Sequence, residues 1–170
     1  MPAVIPTNLA TLAPLITAQL VNVTGVTNNR VLIVQRESTA HIQGDQDILV
    51  RFGRPFPDVG FAHGGGRTAV VVYRSLQVTP RTRWAVDQSD RDDYWVTDPI
   101  NGHATLEEAV VNALHIWIPS DGAGNFLTVE PMSWVPSAEP LHETPVSQSW
   151  GHTDLMFQCR YILSVTNNGF

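Results

Sequence analysis

The chain has 170 residues, 43% of them hydrophobic and 15% charged, with a net charge of −6. That is one domain's length of globular chain, able to bury roughly 70% of its unfolded surface, and not a disordered polymer. The acidic balance argues against wrapping nucleic acid, because neutralising phosphates needs a basic patch; the single cysteine excludes an intramolecular disulfide, and no apolar run reaches the ~18 residues of a membrane span.

Residues 1–6, with two prolines, read as a short extended arm. No basic stretch followed by an apolar run opens the chain, so no signal peptide is expected. A first helix is expected over 11–23, with Leu12, Leu15, Ile16, Leu20 and Val23 on one face. Thr11 as N-cap would place Pro14 in the first turn, where no intrahelical N–H is needed, and Gly25 would end the helix.

Val31, Leu32, Ile33 and Val34 form an apolar run, expected as a strand over 30–36 covered on both faces. A second strand is expected over 47–52. The glycines and prolines of 53–66 predict a loop. A long strand follows over 68–78, which 81–86 continues or pairs back upon. Residues 87–93 are acidic and aperiodic and read as a hairpin tip, with 94–96 as the return strand. The region 53–99 is therefore an enlarged loop or hairpin, and 81–97 a projecting arm.

The most marked element is a helix over 105–117. Leu106, Ala109, Val110, Ala113, Leu114 and Trp117 recur at i, i+3, i+4, i+7, i+8 and i+11. Thr105 and Glu108 have capping-box spacing, Glu107 and Glu108 suit the positive end of the helix dipole, and Pro119 is the expected stop. Residues 120–125 form a glycine-rich turn. A strand over 126–135 is interrupted at Pro131, which suits a sheet edge. After a proline-containing loop over 136–150, residues 153–166 alternate strictly, with Leu155, Phe157, Cys159, Tyr161, Leu163 and Val165 on one face. Cys159 is expected as a small buried hydrophobe. The elements define an α+β fold: a mostly antiparallel sheet with two helices packed on one face, plus long loops or a projecting hairpin, in one domain.

Motifs for chemistry lack their obligatory partners. His63-Gly64-Gly65-Gly66 resembles an esterase oxyanion loop, but no G-x-S-x-G elbow accompanies it. The same glycines precede Arg67 and a strand instead of Lys and a helix, which argues against a phosphate loop. Asp87, Asp90, Asp92 and Asp93 lack the glycine and glutamate positions of an EF-hand. His142, Glu143, His152 and Asp154 form the best catalytic or metal grouping. The expectation is no enzyme, no catalytic residue, no cofactor and no metal; a small hydrolase or metal-dependent enzyme built on His142, His152 and Asp154 is the alternative of another class.

All ten cationic residues are Arg. Guanidinium forks pair with carboxylates and stack on rings, so they suit interfaces; codon usage would produce the same bias. Five tryptophans are present, and Trp84 and Trp95 flank the acidic loop. The subunit-interface candidates are thus Arg51, Arg54, Arg67, Arg81 and Arg83 as cations, Asp90, Asp92 and Asp93 as anions, and Trp84 and Trp95 as aromatic anchors.

Four stretches carry a resemblance: 12–20 with Thr24-Gly25-Val26, 46–55, 104–114 and 156–163. Their content and order resemble the tail terminator (tail completion) proteins of long-tailed bacteriophages. The resemblance implies a virion structural protein of the neck that caps the tail tube as a ring, typically a hexamer. Its implied partners are further copies of itself, the tail tube protein and a head-side connector, with DNA passing through unbound and no membrane involved. It implies assembly in the host cytoplasm. A head–tail connector or stopper is the alternative within that class. The long segment 53–99 departs from the family pattern.

Overall fold

The computed structural model describes residues 2–23, 30–35, 46–58, 69–83, 102–135 and 150–164. The elements are α1 (Leu9–Val21), β1 (Val31–Ile33), β2 (Gln46–Pro57), β3 (Ala69–Arg83), α2 (His103–Leu114), β4 (Ser133–Val135), β5 (Trp150–His152) and β6 (Leu155–Ser164). The sheet runs β1-β2-β3-β6-β4, with β5 pairing β3 beyond the end of β6. All pairings are antiparallel except β1 with β2. The expected α+β class and the mostly antiparallel sheet are what the chain adopts.

Alternation decides which face carries the helices. Cα partners Val50↔Val78↔Leu155 and Leu76↔Phe157 run across the sheet, and Val72↔Tyr161 lies further along. All these side chains are buried, in one core with Leu12, Ile16 and Leu20 of α1 and Leu106, Val110 and Leu114 of α2. Both helices therefore cover one face. Gln19 Nε2 donates to Ala113 O at 3.0 Å and ties α1 to α2. Fully burying side chains of this size contributes about 1.5–3 kcal/mol each, so these helix stripes hold the two layers together. Cys159 lies in this core, and burial pushes its thiol up to about 11, with Arg74 pulling weakly the other way.

Several local expectations give way to tertiary contacts. Asn8, not Thr11, caps α1: its Oδ1 accepts from Thr11 N–H at 3.0 Å. Pro14 consequently falls in the second turn, where it leaves the Ala10 carbonyl without its intrahelical N–H. Asn22 is the C-cap, and Gly25 lies outside the described residues. Helix α2 begins two residues before Thr105, after Gly102 and with no side-chain cap, so the capping box does not form and Glu107 and Glu108 sit beyond the first turn. It ends at Leu114, well short of Pro119. There the backbone pairs elsewhere: Ile116 N–H donates to Met132 O and Met132 N–H to Trp117 O. Trp117 still packs against the core.

Strand β1 is an edge strand with Ile33 half exposed, so it is not covered on both faces. Residues 53–57, expected in a loop, extend β2 past a bulge between Phe52 and Pro55. An added Cβ at Gly53 would collide with Ser75 Oγ and stand 3.3 Å from Ser75 O, so the close approach of β2 to β3 favours glycine there. Arg74 Nη1 donates to Gly53 O at 2.5 Å and Nε to Tyr161 Oη at 3.0 Å, pinning the bulge to β6. Strand β3 is a single strand through Pro80. Of 126–135 only Ser133–Val135 is a strand, at the β4 edge. The N-terminal arm is docked: Ile5 N–H donates to Phe126 O, Phe126 N–H to Ala3 O and Thr7 N–H to Ile162 O.

Candidate functional site

Six of the ten interface candidates (Arg67, Trp84, Asp90, Asp92, Asp93 and Trp95) lie outside the described residues, as do 84–97 of the expected arm. The other four are not one cationic rim. Arg81 is 1% exposed and pairs with Asp47, 0% exposed: Nε to Oδ1 at 2.6 Å and Nη2 to Oδ2 at 2.5 Å. Its charge is compensated inside the chain, which removes it from any rim. Arg51 donates through Nη2 to Gln77 Oε1, its direct cross-strand neighbour. Arg54 and Arg83 are exposed, at the far ends of β2 and β3.

The sheet face opposite the helices carries linked polar groups. Thr79 Oγ1 donates to Asp154 Oδ1 at 2.6 Å, so the Asp154 carboxylate, between β5 and β6, is tied to β3. Arg160 lies 5.0 Å from the Tyr73 ring centroid, pairs with Asp58, and reaches Glu130 at 3.5 Å. Guanidinium stacking on a ring with carboxylates at its edge is an arrangement Arg favours. Neither Asp47 nor Arg160 stands out in the sequence; the one available signal is a carboxylate opening the apolar run Ile48-Leu49-Val50.

His103 is fully buried at the start of α2. Its Nδ1 hydrogen-bonds Thr82 Oγ1 at 2.9 Å, its Nε2 Thr153 Oγ1 at 3.0 Å, and Glu107 Oε1 stands 3.4 Å from Nε2. Burial pushes the Glu107 carboxyl upward, but hydrogen bonds from His103 and Thr153 and the charge of His103 outweigh it and hold the carboxyl below its usual range. The cluster ties the first turn of α2 to β3 and to the segment between β5 and β6. His142 and Glu143 lie outside the described residues, and among the described residues no three His, Cys, Asp or Glu side chains are grouped as a metal ion requires.

A groove of about 350 Å³ runs between α2 and β4, lined by Glu107, Glu108, Val111, Asn112, Trp134 and Leu155. Trp134 is 39% exposed although it pairs with the fully buried Phe157. Beside it, Trp134 N–H donates to His115 Nδ1 at 3.2 Å, and Ile116 holds φ at 59° with its side chain 73% exposed. A β-branched residue in left-handed backbone costs on the order of 1–3 kcal/mol.

No protein-family model matches the chain, and no curated protein matches it. Among solved structures, the fold is similar to an electron cryo-microscopy structure of the PVC sheath/tube terminator of an extracellular contractile injection system, in its extended state. The TM-score is 0.59 at 12% identity, and the match covers 96% of this chain. It covers 59% of that chain, so this chain corresponds to a little over half of the terminator's length. The fold expected from the order of the elements, two helices on one face of a mostly antiparallel sheet, is thus the fold found, and it is similar to that of a tube terminator.

Proposed function

We propose that the chain is a structural protein that terminates a tail tube. The observation that carries this reading is the fold shared with a sheath/tube terminator over 96% of the chain. The finer reading is the neck of a long-tailed phage virion, assembled in the host cytoplasm. There a ring of copies, six being the expected number, closes the tube and receives the head-side connector. The net charge of −6 supports a conduit through which DNA slides without sticking. No catalytic role is assigned: His103 is enclosed by two threonines, and Asp154 is engaged by Thr79.

The test is tube length. Particles assembled without the protein should carry tubes of broadly scattered length, and resupplying the protein should narrow the distribution. Tubes of normal, uniform length in its absence would refute termination. A connector or stopper would instead leave tube length uniform and prevent heads from joining.

A further inference from the structure

We infer that the groove between α2 and β4 receives the bulged end of β2 from a second copy of this chain, with Arg54 and Phe56 entering beside Trp134 and Glu108. The inference rests on the ring reading and specifies which surfaces of neighbouring copies meet.

The groove offers an aromatic wall and an anionic wall. Trp134 supplies exposed ring surface. Glu108 is the solvent-facing carboxylate, whereas Glu107 keeps its contact with His103 at 3.4 Å. Such a pocket suits a cation carried next to an apolar group. Every cation of this chain is a guanidinium. At the end of β2, Arg54 is exposed and Phe56 is 62% exposed. Beyond Val50, β1 no longer pairs with β2, and Pro55 and Pro57 bar another strand from adding there along the full edge. The bulge, fixed by Gly53 and Arg74, sets the angle at which Arg54 and Phe56 leave the sheet.

A copy cannot bring these two surfaces together within itself. Strands β3 and β6 separate β2 from β4. Phe56 pairs with Tyr73, on the face away from the helices, whereas Trp134 pairs with Phe157, on the helix face. The contact therefore joins two different surfaces of neighbouring copies, and such a contact, repeated head to tail, builds a ring where its rotation closes. Ile116, exposed and held at a positive φ, follows His115, whose Nδ1 accepts from the backbone N–H of Trp134.

Charge reversal tests it, with sedimentation over a concentration series and occupancy of tube ends as readouts. Arg54→Glu and Glu108→Arg should each weaken self-association by about tenfold or more, and the chain carrying both should recover most of the loss, because each interface again joins opposite charges. Trp134→Ala should weaken it by about 30-fold or more. Circular dichroism should match the parent for all four, since the altered side chains are exposed. Single variants that associate normally, a double variant no better than the weaker single, or a parent that is monomeric both in concentrated solution and on tubes would overturn the inference. If association responds as expected while tubes keep normal length without the protein, the contact stands and the terminator reading falls.

Discussion

Asp47 and Arg81 face each other across β2 and β3 and close a two-pronged ion pair with almost no solvent exposure. A buried pair loses much more when one member is removed than it contributes over an apolar replacement, because the remaining charge is stranded. Asp47→Ala should therefore destabilise the chain by about 3–5 kcal/mol in urea unfolding. Replacing both residues, as Asp47→Leu with Arg81→Met, should cost clearly less than the single change. A single variant within about 0.5 kcal/mol of the parent would show that the pair is not buried in solution.

Gly53 and Ser75 make a second coupled pair. Gly53→Ala drives a methyl group against Ser75 Oγ and should cost about 1–3 kcal/mol. Ser75→Ala removes the oxygen and leaves only contacts of 3.3–3.4 Å, so the double variant should recover most of that loss. Strictly additive losses in denaturant titrations would rule out the close approach.

Cys159 makes stability depend on alkaline pH. Its folded pKa, about 11, lies above the ordinary thiol value of 9.0. The protonated thiol is the form the core accepts, so its contribution is full below pH 9 and is lost as pH rises through 11. The loss should reach about 2 kcal/mol by pH 11 relative to a Cys159→Ala chain, whose own alkaline decline lacks this component. In native buffer the thiol should resist a disulfide reagent until the chain is unfolded. Prompt labelling of the folded protein would contradict the burial of this group.

Pro14 in the second turn of α1 removes one helical hydrogen bond at an exposed position. Pro14→Ala restores the N–H that the Ala10 carbonyl lacks and should raise stability by about 1–3 kcal/mol. A loss of stability would show that proline's restriction of the unfolded chain outweighs the missing bond.

What the sequence makes legible is what local periodicity controls. Strand β6 alternates Leu155, Phe157, Cys159 and Tyr161 inward because one face is buried, and the stripe Leu106, Val110, Leu114 marks α2 for the same reason. Ends and edges were not legible. The capping box at Thr105 yields because His103 is drawn into the core by Thr82 and Thr153, which starts the helix two residues earlier. Strand β3 continues through Pro80 because that residue falls where β3 passes from β6 to β5, at a gap in its neighbours. Arg81 reads as a surface cation until Asp47, 34 residues earlier, is brought opposite it. The groove was hidden for the same reason: Trp134 and Glu108 belong to elements that meet only through the tertiary fold.

The most direct test of termination is the position of the protein on the particle. Electron cryo-microscopy of purified tails, with the protein located by an added tag, should show it as one closed layer at one end of the tube. Its rotational symmetry should match the tube's, six-fold in the expected case. Density distributed along the tube wall, or no density on tubes at all, would contradict the account.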